Sequence, residues 1–199
     1  MSEKLVAAAQ RGHKDVVTLL LDRGANVNKT GKYTTALIAA PQRGHKNVVS
    51  LLIDRGSNVN MIVNTTTALI AAAQQGHKDI VTLLLDQGAD VNMIGDTTTA
   101  LIEAAQRGHQ DVVRLLLDGG VDLSLVAGQY GTALTAAICV CHNHSRSHSE
   151  NMQPTLLSML LNHNPDVSIV AGFYGTALIA AISKLQFPEQ ANRNQLDTV

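Results

Sequence analysis

Five residues in one short stretch carry the side chains most suited to chemistry. They are Cys139, Cys141, His142, His144 and His148, within Cys-Val-Cys-His-Asn-His-Ser-Arg-Ser-His. Thiolates and imidazoles are the ligand types that Zn²⁺ and Cu select. The spacing does not suit such a site. Structural zinc sites pair ligands two to four residues apart and draw the pairs from two separate elements. A Cys–His nucleophile would also need an orienting carboxylate and an oxyanion site, and no such set accompanies these residues. The stretch is therefore expected to be a polar insertion, with a metal-responsive module as its alternative reading. No metal, cofactor or catalytic residue is assigned.

Four further histidines stand in Gly-His pairs at 12–13, 44–45, 76–77 and 108–109, at one constant interval. Equal spacing puts each at the same place in a separate repeat, so the set reads as structural and not as a cluster of bases. The carboxylates repeat at helix starts and ends, and no pair is set apart for acid–base work. Gly119-Gly120 ends a helix instead of opening one, unlike a phosphate-binding loop. The chain is not expected to be an enzyme.

The elements that position these residues follow from the same period. Each Gly-His precedes an apolar run, such as Ile80-Val81-Thr82-Leu83-Leu84-Leu85. A Gly then follows at 24, 56, 88 and 120, and after it a block such as Ala89-Asp90-Val91-Asn92. Thr-Ala-Leu begins at 35, 67, 99, 132 and 176. In the unit Thr67 to Asn92, Thr67 is a suitable N-cap for a short helix through about Gln75. Ala68, Leu69, Ala72 and Ala73 share one face of it. Gly76 suits the left-handed position that ends a helix. Asp79 falls in the first turn of a second helix, where negative charge suits the dipole. That helix runs through Leu85 and stops at Gly88. Neither helix is long enough to stand alone. Pro41 occupies the place of Ala9, Ala73 and Ala105, which predicts a kinked or shortened first helix there.

The pattern Thr-Ala-Leu, Ala-Ala, Gly-His, Val-Val, Leu-Leu-Leu, Gly-Ala-Asp-Val-Asn resembles the ankyrin repeat over nearly the whole chain. The resemblance implies an all-α solenoid of stacked helix-turn-helix units joined by β-turn or hairpin loops. The units expected are 1–28, 29–60, 61–92, 93–124, 125–168 with an insertion at about 139–153, and 169–199, the first and last of them partial. Two departures bear on the turns. Thr-Pro-Leu-His becomes Thr-Ala-Leu-Ile, and the usual turn Gly is replaced by Tyr33, Thr65, Thr97, Tyr130 and Tyr174.

The resemblance also implies a protein-binding scaffold that uses the concave face, at turn tips and at the ends of the first helices. The positions carried over are Gln10, Arg11, Lys32, Gln42, Arg43, Asn64, Gln74, Gln75, Asp96, Glu103, Gln106, Arg107 and Gln129. They form a Gln ladder beside an Arg11–Arg43–Gln75–Arg107 column, suited to an acidic or amide-rich protein segment.

Composition agrees. Aromatics are only 3% of 199 residues, against base-stacking platforms, and the net charge of −1 is against nucleic acid. That total hides a gradient. Residues 1–60 hold nine basic and four acidic groups, while residues 61–199 hold six and twelve. No apolar run reaches the roughly 18 residues of a membrane span. Two cysteines one residue apart suit a disulfide poorly, so a reducing setting is expected, cytoplasmic or nuclear. The partner is an unidentified protein, and the chain is expected to be monomeric. A further reading makes it the repeat portion of a larger regulatory protein.

Overall fold

Thr67 begins its unit in extended backbone, and its Oγ1 accepts the Ile70 N–H at 3.1 Å. That bond satisfies one of the donors left open at the helix start. Thr35 and Thr99 do the same for Ile38 and Ile102, and all three threonines are buried. In the computed structural model, which describes residues 1–95, 97–143, 153–172 and 175–176, the unit is then built twice over, from a first helix and a second.

The first helices are α1 (Ser2–Gln10), α3 (Ala36–Ala39), α5 (Ala68–Gln75), α7 (Ala100–Gln106) and α9 (Ala133–Asn143). The second helices are α2 (Lys14–Asp22), α4 (Lys46–Asp54), α6 (Lys78–Asp86), α8 (Gln110–Asp118) and α10 (Gln153–Leu161). Each first helix packs on the next first helix, and each second helix on the next second helix, so the layers run side by side along the array. The first-helix layer is the more closely packed, because alanines such as Ala40, Ala72 and Ala104 lie in its seams. The core is one continuous seam of Ala, Leu and Ile from the first helices with Val, Ile and Leu from the second. Among the described residues no helix is long and apolar enough to cross a membrane.

Pro41 shortens its helix as its chemistry requires. α3 has four residues, and a 3₁₀ turn over Pro41–Arg43 replaces the last turn that α5 keeps as α-helix. Proline lacks the N–H that would have bonded one turn back.

The insertion departs from expectation. The sequence predicts a loop from about 139, yet α9 continues through Asn143. The register gives the reason. Cys141 follows Thr132 at the same distance as Gly76 follows Thr67 and Gly108 follows Thr99. Cys141-His142 therefore holds the Gly-His place, and the left-handed glycine that ends the other first helices is absent there. Cys139 is buried in the core side of α9. The side chains of Cys141 and His142, and the residues His144 and His148, lie outside the described residues, as does the helix expected from about Thr176 to Leu185. Among the described residues no group of three His, Cys, Asp or Glu stands close enough to hold a metal.

The loops are tied across each seam by asparagine. Asn60 Nδ2 donates to Gly88 O at 3.1 Å, and its Oδ1 accepts the Asp90 N–H at 2.8 Å. Asn28 makes the same pair of bonds to Gly56 O and Asn58 N–H, and Asn92 accepts from Asp122 N–H. The tie stops at Ser124. Its hydroxyl turns back to Asp122 at 2.6 Å, and with the Ser124 N–H it holds the Asp122 carboxyl below its ordinary range.

The turn tips are tight. Val63 and Thr66 form an isolated antiparallel bridge, closed by Asn64 and Thr65 at φ of 44° and 72°. Positive φ is costly for a β-branched residue. Asn64 donates its amide to Tyr33 O in the preceding turn. The next tip presses from the other side, since a methyl group on Gly95 would meet the Thr65 carbonyl oxygen. Two opposite outcomes follow. Thr65→Gly is expected to raise stability by about 1 kcal/mol through relief of the left-handed strain. Gly95→Ala is expected to lower it by about 2 kcal/mol or more, because backbone must move. Urea denaturation of the two variants checks both signs.

Candidate functional site

The first-helix face is laid out by the geometry that ends those helices. In α5, Gly76 takes φ of 73° at the C-cap, which turns the chain sharply toward α6. It is also the floor for the next repeat's histidine: a methyl group there would stand 2.7 Å from His109 Nδ1. His109 Nε2–H donates to Gln74 O at 3.2 Å. His45 does the same to Gln10 O at 3.1 Å, over Gly12. His77 lies against Gly44 in the same manner. The Gly-His pairs are thus an inter-repeat ladder, and its acceptors are backbone atoms of Gln10 and Gln74, whose side chains belong to the candidate face.

Burial, then the positive charges of His109 and His45, hold His77 below the ordinary imidazole range. The sign for stability follows. The folded chain takes up a proton at His77 less readily than the unfolded chain, whose imidazole titrates near 6.5. Stability from this group is complete above that value and falls as pH drops through it.

The structure divides the candidate residues into two groups. Gln74, Gln75, Gln106, Arg107 and His109 line one cleft of about 500 Å³. Glu103, Gln106, Arg107, Gln129 and Tyr130 line another of about 400 Å³, with Thr97 and Thr98 at the turn. The two clefts share Gln106 and Arg107, so they adjoin. Arg107 Nε donates to Glu103 Oε2 at 3.3 Å, one helical turn away. Gln106 Nε2 donates to Tyr130 OH at 3.2 Å across the next seam. This half is already internally paired.

Gln10, Arg11, Lys32, Gln42 and Arg43 line neither cleft. Arg11, Lys32 and Arg43 lie at the basic end of the array, where all three are exposed. Among the described residues neither Arg11 nor Arg43 has a carboxylate partner, because Ala7 and Ala39 stand where Glu103 faces Arg107. Lys32 Nζ sits 5.0 Å from the centroid of the Tyr33 ring, a cation–π distance. Tyr33 is exposed and is not among the sequence candidates; an aromatic at a turn tip was the available signal. Asn64 is committed to Tyr33 O. Asp96 lies outside the described residues.

A family model of ankyrin repeats in three copies matches residues 5–95, and a model of the single ankyrin repeat matches residues 97–127. Together they cover more than half of the sequence. The chain is an ankyrin-repeat protein. No curated protein matches it. Ankyrin repeats generally mediate protein–protein interaction, and ankyrin-repeat domains are typically non-enzymatic. The Gly-His ladder, the buried N-cap threonines and the Asn ties are therefore the framework of this ankyrin array, and the paired and unpaired cations are what it displays.

Lowering the pH from about 7.5 to about 5.5 is expected to lower the melting temperature through the ladder, and His77→Gln is expected to shrink that difference. Thermal melts of both chains at the two pH values check it.

Proposed function

We propose that this ankyrin array is a non-catalytic scaffold that holds an extended, acidic or amide-rich segment of a partner protein along its concave first-helix face. The carrying observation is the unequal state of the arginine column. Arg107 spends its charge on Glu103, while Arg11 and Arg43 keep theirs toward solvent. A guanidinium without a competing carboxylate is the stronger anchor for a partner's acid. The acidic part of the segment belongs at the end built from residues 1–60, beside Lys32 and Tyr33. An amide-bearing part belongs over the adjoining clefts, where Gln74, Gln75 and Gln129 offer donors and acceptors. The units 1–28, 29–60, 61–92, 93–124, 125–168 and 169–199 are proposed as one domain, monomeric and cytoplasmic.

The test is a titration of the full chain with a Glu/Gln-rich synthetic peptide at two salt concentrations. Charge reversal by Arg11→Glu with Arg43→Glu is expected to weaken binding at least tenfold, about 1.4 kcal/mol, with circular dichroism unchanged. Arg107→Glu is expected to change it less. Equal effects at the two places, or none from the double variant, would sink the reading.

A further inference from the structure

Position 103 breaks the repeat on the first-helix face. Ala7, Ala39 and Ala71 hold the same place in the preceding units, and a carboxylate stands there in the fourth. The side chain of Glu103 is only 12% exposed, whereas that of Arg107 is 45% exposed. Burial therefore fixes the acid, and its cation is the member with room to swing away.

The bond between them leaves the acid unsaturated. Arg107 donates through Nε at 3.3 Å, longer than the roughly 2.8 Å of a strong charge-assisted bond. A carboxylate has about four lone-pair sites. Among the described residues no other side chain donates to Glu103. Gln106 turns its amide to Tyr130 OH at 3.2 Å instead. Glu103 lines the cleft of about 400 Å³ together with Ile102, Ala127 and Tyr130. Neither of its oxygens is buried without a partner, so the unbonded one meets that cleft. A fixed carboxylate beside an apolar wall suits a long cationic side chain. The stem lies along Ile102 and Ala127, and the charge reaches the acid.

Along the first-helix face the sign of the charge thus changes. Arg11 and Arg43 offer positive charge, Gln75 is neutral, and Glu103 offers an acid. The whole chain follows the same trend, with nine basic and four acidic groups in residues 1–60 and six and twelve in residues 61–199.

We infer that Glu103 sets the polarity of the groove: it takes one lysine or arginine of the partner segment and rejects an acid at that place. This rests on the reading of the concave face as a peptide groove. Two seams separate the first helices that carry Ala39 and Glu103. Packed helices stand about 8–10 Å apart, and an extended chain advances about 3.3 Å per residue. The basic residue therefore lies about six residues from the acid held by Arg43, on the same side of an extended segment. The amide-bearing residues over Gln74 and Gln75 fall between them.

Three synthetic peptides test this on the full chain. Each carries a run of glutamates followed by glutamines, and the residue about six beyond the last glutamate is Lys, Gln or Glu. The native chain is expected to bind them most tightly with Lys, then Gln, then Glu, with about tenfold between first and last. Glu103→Ala restores the residue of the preceding units and releases Arg107, so it is expected to reverse the order. Glu103→Gln keeps the volume and is expected to abolish the preference for Lys. Circular dichroism of each variant checks the fold. No preference in the native chain, or one that both variants leave unchanged, would overturn the inference. Binding of the Gln peptide that still depends on Arg11 and Arg43 would in that case leave the groove reading standing. If none of the three peptides binds the native chain, the groove reading fails and the inference with it.

Discussion

None of the regular helices of this array could hold its shape alone. The second helices have nine residues, and α3 has four. Isolated helices of that length are marginal in water, because nucleation costs more than so few bonds return. The seam between neighbouring units is therefore the constraint on which everything else rests. It is closed by Ala with Leu and Ile from the first helices, and by Leu, Ile and Val from the second. Large rings would hold the helices apart, which accounts for a protein of this size with two Phe, three Tyr and no Trp.

Polar chemistry then fixes the register that apolar packing leaves loose. Imidazole against glycine fixes the ends of the first helices, and asparagine fixes the loops on the far side. Both devices join each unit to the next. The carbonyl that receives His109 belongs to Gln74, whose side chain lines a cleft. Support and display are therefore properties of the same residues, and a change in the ladder is felt in the groove.

Helices, caps and stops were legible because each rests on local chemistry. Thr67 before an apolar periodic run and Gly76 after it admit few alternatives, and Pro41 acts on its own turn. The length of α9 was missed, although the register carries the signal. Cys141-His142 holds the register of a Gly-His pair without its glycine, although the residue types draw the eye to metal chemistry first. The pairing of Arg107 with Glu103 follows an i, i+4 rule, yet repeat symmetry groups Arg107 with Arg11 and Arg43. Contacts across the seams were not legible. Nothing local says that Tyr130 meets Gln106, or that Asn64 reaches Tyr33, until the turns stack in space.

Ser124 gives the array a fault line. Upstream, loop after loop is cross-tied by an amide long enough to bridge two units. A hydroxyl one bond from Cβ cannot bridge that gap, and Ser124 closes on its own loop instead. A cleft of about 440 Å³, lined by Leu117, Val121, His163 and Asp166, opens at this point. In a chain of nearest-neighbour couplings, the weakest link decides where cooperativity divides. Tension or heat can part the rear of the array there while the front block keeps every tie it has.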